Sequence, residues 1–196
     1  MLGHFHGRTV DGSDLSASID VMRKLPFIEL MELLEFSVLR LDSPQACRPE
    51  PARAGLIGTL DWWFWTSPGE CASARADASD VAVYICSSTA ALKEAVLPDG
   101  DTLLDFGRLA GEARPVRAGG EARGLRLYAS AFPGRRGRGR AGAADRATLR
   151  VDLKALLSRV VVPARVPQHL FELVASLVRS RVWVDVVRPQ AVAPMR

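Results

Sequence analysis

The chain has 196 residues, 48% hydrophobic and 24% charged, which fits one globular domain and argues against wholesale disorder. No run approaches the roughly 18 to 20 apolar residues of a membrane helix, and the N-terminus lacks the basic start and apolar stretch of a secretory signal. A soluble, intracellular protein (cytoplasmic or nuclear) with no membrane partner is therefore expected.

Charge is sorted along the chain. Residues 1–112 carry 9 Lys and Arg against 17 Asp and Glu, a net of −8, whereas residues 113–196 carry 17 against 5, a net of +12. Arginine makes up 23 of the 26 basic residues, as a GC-rich coding sequence would produce. Codon bias exchanges lysine for arginine but does not sort charge by position, so the asymmetry points to a partner for the basic half, nucleic acid or an acidic protein. The competing reading is internal, with the basic half packed near the acidic one. Cys47, Cys71 and Cys86, odd in number and widely spaced, suggest neither a disulfide framework nor a metal knuckle.

From the N-terminus, His4–Val10 and Leu15–Val21 read as strands meeting at Asp11-Gly12, the second alternating Leu15, Ala17, Ile19 and Val21 with polar residues. His4 and His6 would share a face, but no third ligand lies nearby and no metal is expected. Pro26 to about Leu39 predicts a helix: Phe27, Leu30, Met31, Leu34 and Val38 follow the 3.6-residue period, and Pro26 suits its first turn. Phe36–Leu41 has an alternative as a strand. Asp42–Ala54, with three prolines, is a loop.

Gly58–Thr66 concentrates three tryptophans. In a strand Trp62 and Phe64 face one way, Trp63 and Trp65 the other, so a central strand is expected, with both faces covered or the Trp63 side the better buried. The functional alternative makes Trp62, Trp63 and Trp65 a partner interface. The following loop, to Ser79, would return the next strand antiparallel beside this one.

Asp80–Leu97 is the clearest strand-to-helix unit, an apolar run through Ile85 followed by Ser87, Ser88 and Thr89 with N-cap chemistry. Cys86, at the strand end before a helix start, is the candidate nucleophile, and the adjacent hydroxyls could hold an anion. Against this, no Gly-rich phosphate loop adjoins it and the only histidines are His4, His6 and His169. The alternative is an inert core thiol, and no cofactor is implied.

Thr102–Leu109 and Gly124–Ala131 read as strands of a hairpin. Residues 132–147 form a low-complexity segment in which Arg135, Arg136, Arg138 and Arg140 interleave with glycines; it has little to bury and the chemistry of a flexible cationic arm for phosphates or acidic groups. Thr148–Val162 fits a helix and an alternating strand equally. Pro167–Arg181 predicts an amphipathic helix, Val182–Val187 a strand and residues 189–196 a tail.

The expected fold is a single α+β domain spanning residues 1–196. A mostly antiparallel or mixed sheet of about five to seven strands carries helices at 26–38, 89–97 and 167–181, packed mainly on one face. The expected function is a non-enzymatic regulatory or adaptor protein that binds nucleic acid or an acidic protein through the basic half. The alternatives are a small thiol enzyme using Cys86 and a subunit of a larger complex that buries the aromatic strand.

Overall fold

The computed structural model describes residues 18–43, 55–64, 82–97, 102–108, 124–131 and 147–189. The His4–Val10 strand, Cys47, Cys71, Trp65, the segment with Arg135, Arg136, Arg138 and Arg140, and residues 190–196 of the tail lie outside the described residues.

In chain order the elements are β1 (Asp20–Pro26), α1 (Phe27–Phe36), β2 (Val38–Arg40), β3 (Leu56–Phe64), β4 (Ala82–Ser88), α2 (Thr89–Ala95), β5 (Val96–Leu97), β6 (Thr102–Arg108), β7 (Gly124–Ala131), β8 (Thr148–Val151), α3 (Leu153–Leu156), β9 (Arg159–Val161), α4 (Gln168–Arg181) and β10 (Asp185–Val187). Seven strands form a mixed sheet in the order β10-β9-β4-β1-β3-β7-β6, and β2-β8-β5 form a second, three-stranded one. β9 and β10 run parallel while their sheet neighbours pair antiparallel. A parallel pair needs a crossover of a dozen or more residues, and the 14-residue α4 supplies it. This is the expected α+β fold.

Strand alternation sets the layers. Val21, Leu25, Leu60, Trp62, Val83, Ile85, Leu125, Leu127 and Val160 join Leu30, Leu33 and Leu34 of α1 and Val174 and Val178 of α4 in one cluster, so the helices cover one face of the sheet. Residues of opposite parity, Tyr84, Cys86 and Val161 with Met22 and Val187, form a smaller cluster on the other face. Helix α1 stops at Phe36, short of the expected Leu39. Ser37 adopts the left-handed conformation with φ of 53°, and its N–H donates to the Leu33 carbonyl, releasing Val38–Arg40 as a strand. The ambiguous Thr148–Val162 stretch resolves into β8, α3 and β9, because Asp152 interrupts it: its Oδ1 accepts from the N–H groups of Lys154 and Ala155 and starts a one-turn helix.

One neighbour relation differs from expectation. β4 lies beside β1 rather than β3, with seven residue pairs from Asp20↔Ser88 to Pro26↔Ala82. A strand buried on both faces belongs in the middle of a sheet, and β1 inserts to keep it there. β1 meets β3 at only two pairs, Val21↔Phe64 and Met22↔Trp63. Beyond them the strands part, and Asp42 takes up the free edge of β3, exchanging both main-chain hydrogen bonds with Thr59 at 2.8 and 3.1 Å. The buried Arg23 fills the opening: Nη1 donates to the Asp61 carbonyl at 3.0 Å and Nη2 to Asp42 Oδ2 at 3.3 Å. A guanidinium here stands in for missing ladder bonds. No helix among the described residues is long and apolar enough to cross a membrane.

Candidate functional site

The three sites suggested by sequence fare differently. On the aromatic strand Trp62, not Trp63, is the buried tryptophan: its parity points at the helices and leaves it 0% exposed, whereas Trp63 on the opposite face is 36% exposed. Neither expected arrangement, both faces covered or the Trp63 side the better buried, holds, because the helix layer, rather than the count of tryptophans, decides which face is closed.

Cys86 is 1% exposed and packs with Tyr84, Val161, Met22 and Val187. Its cross-strand neighbours are Met22 and Arg159, and neither is a general base. His169, the one histidine among the described residues, is exposed on the first turn of α4, which packs on the opposite face of the sheet. The neighbouring hydroxyls are turned to the fold: Ser88 Oγ accepts from the Ala91 N–H at 3.1 Å, Thr89 Oγ1 from the Ile19 N–H at 3.1 Å, and Ser87 is buried. Among the described residues the structure does not bring nucleophile, base and anion-binding donors together.

The basic half divides into arginines engaged by the fold and cations that are not. Arg126 grips Asp61 with two bonds, at 2.6 and 2.8 Å, and Arg181 pairs with Glu35, so both join the basic half to the acidic one. Arg188 donates to the carbonyls of Ala164 and Val166 and to Gln168. Internal complementarity therefore accounts for part of the charge asymmetry. The side chains of Lys154 and Arg179, by contrast, make no hydrogen bond or ion pair among the described residues.

These two cations converge on an open cleft of about 950 Å³. The elements explain how it forms. Asp152 caps α3, whose Lys154 lines the cleft, and α4 ends at Arg181, so that Arg179 of its last turn lines it as well. Val182, Val184 and Val186 then alternate with Trp183 and Asp185, turning Val182 inward to form the floor with Leu157 and leaving Trp183 91% exposed. Ser158 lines the cleft and donates its N–H to the Cys86 carbonyl at 3.0 Å, so the cleft abuts the strand-to-helix unit picked out by sequence. A second, shallower groove of about 510 Å³, bordered by Phe171, Ser176 and Ser180, shares Arg179.

Sequence reasoning placed Val182–Val187 as a strand, of which the structure forms only Asp185–Val187, and passed over Trp183. The signal was present: its parity is that of Asp185, opposite to three valines, which marks an indole facing solvent. Among the described residues no group of three or more His, Cys, Asp or Glu could hold a metal ion. No family model, curated protein or solved structure matches this chain.

Proposed function

We propose that the protein is a non-enzymatic regulatory or adaptor protein that binds a polyanionic partner, nucleic acid or an acidic protein, through its basic C-terminal half. The observation that carries this reading is the 91% exposed Trp183 lining one cleft with Lys154 and Arg179, two cations whose side chains make no hydrogen bond or ion pair among the described residues. Exposed Trp and Arg are the residue types that dominate binding energy at interfaces, and an unpaired cation beside an apolar floor selects for a negatively charged partner. Arg135, Arg136, Arg138 and Arg140 add a second cationic element by their sequence. Among the described residues the cross-strand neighbours of Cys86 are Met22 and Arg159, neither of which lends the thiol reading a base.

The test is equilibrium binding of labelled single-stranded DNA, RNA and a polyglutamate peptide, measured by fluorescence anisotropy against salt concentration. Salt-dependent binding to at least one is expected, with log K for a nucleic acid falling by roughly 0.7 to 0.9 per phosphate neutralised against log salt. Absence of binding to all three at low ionic strength would overturn the reading.

A further inference from the structure

Resting on that reading and narrowing it, we infer that the Trp183 cleft docks a short acidic polypeptide segment bearing an apolar or aromatic anchor side chain. The indole and the floor of Leu157 and Val182 offer apolar surface within a cleft of mixed polar and apolar lining, which an inserted side chain would cover and dry. Lys154 and Arg179 line the cleft from different helices, so carboxylates on either side of an anchor residue can each meet a cation that has no partner among the described residues.

The lining favours polypeptide over nucleic acid. The Asp185 carboxylate lines the cleft and accepts hydrogen bonds from the N–H groups that a peptide main chain carries and a phosphodiester backbone lacks. Two cations are also few for a nucleic acid, whose affinity is built by neutralising many phosphates. In addition, Asp185 opens β10, the outermost strand on its side of the described sheet, where an extended segment finds main-chain partners.

The experiment uses the full chain and three labelled probes: a capped peptide alternating Glu with Phe and Leu, the same peptide with Lys in place of Glu, and an oligothymidylate of similar length. The proteins are wild type, Trp183→Ala, Arg179→Glu, Lys154→Glu and a quadruple Ala variant at Arg135, Arg136, Arg138 and Arg140. Because Trp183 and Arg179 are exposed, circular dichroism and denaturation midpoints of the cleft variants should match wild type. The Glu peptide should bind wild type and the Lys peptide should not. Trp183→Ala should weaken the Glu peptide by about tenfold or more, and each charge reversal should weaken it and flatten its salt dependence. The quadruple variant should keep peptide affinity. Peptide binding that survives both Trp183→Ala and Arg179→Glu overturns the inference, as does an oligothymidylate that loses affinity in the cleft variants while the peptide fails to bind. In either case the polyanion reading stands, because a polyanion is still bound. Only the absence of all polyanion binding removes both.

Discussion

Three tryptophans separate what a side chain is from where the fold puts it. Trp62, Trp63 and Trp183 are 0, 36 and 91% exposed. Trp62→Ala should cost about 3–5 kcal/mol, since it removes a core indole and leaves a cavity, whereas Trp183→Ala should change stability by no more than about 0.5 kcal/mol. Trp63→Ala should fall between them. Denaturant midpoints of the three variants check this order, and equal losses would show that exposure does not govern their roles. Cys86 is argued in the same way. Iodoacetamide attacks a thiolate in contact with solvent, so Cys86 at 1% exposure should react far more slowly in the folded protein than in denaturant, as peptide mapping would show. Modification at the denatured rate would revive it as a nucleophile. Sequence singled out Trp62, Trp63 and Cys86 but expected the Trp63 side to be covered or the better buried, because burial depends on which sheet face the helices cover.

Helix α1, the strand-to-helix unit and the Gly124–Ala131 strand could be read from sequence because each carries its own period and its own start or stop residues. Strand order could not, since β1 reaches β4 across the chain and no local pattern encodes that pairing. The Asp42 segment that fills the parting of β1 from β3 is a case in point: it passes close against Gly58, where an added Cβ would lie 2.7 Å from Leu41 Cβ and 2.8 Å from the Asp42 carbonyl oxygen. Gly58→Ala should therefore push the Asp42 segment off β3 and destabilise the protein by about 1–3 kcal/mol, the usual cost of overpacking. A thermal shift assay checks it, and an unchanged melting temperature would mean that the segment moves freely. The opposite sign is expected at Ser37, whose φ of 53° favours glycine. Ser37→Gly should stabilise by roughly 0.5–1 kcal/mol by removing the cost of a left-handed Cβ.

At the scale of the whole molecule the sorted charge has two destinations, and the structure shows one of them. Arg126–Asp61 and Arg181–Glu35 tie the basic half to the acidic half, so part of the asymmetry is neutralised within the fold. Among the described residues Lys154 and Arg179 are left over at the cleft, and Arg135, Arg136, Arg138 and Arg140 belong to a segment whose composition has little to bury. If that segment contacts phosphates, its arginines act through counterion release rather than base reading, since no base-reading spacing accompanies them. Replacing all four by Ala should then lower the slope of log K against log salt for single-stranded DNA or RNA by as many as about three or four units, with little sequence preference before or after. Stability should be unchanged, because the replaced residues have no apolar surface suited to a core. The Trp183→Ala variant should leave that slope as it was, since an indole neutralises no phosphate. An unaltered slope in the quadruple variant would assign the positive half to an acidic protein alone, with the cleft as its point of contact.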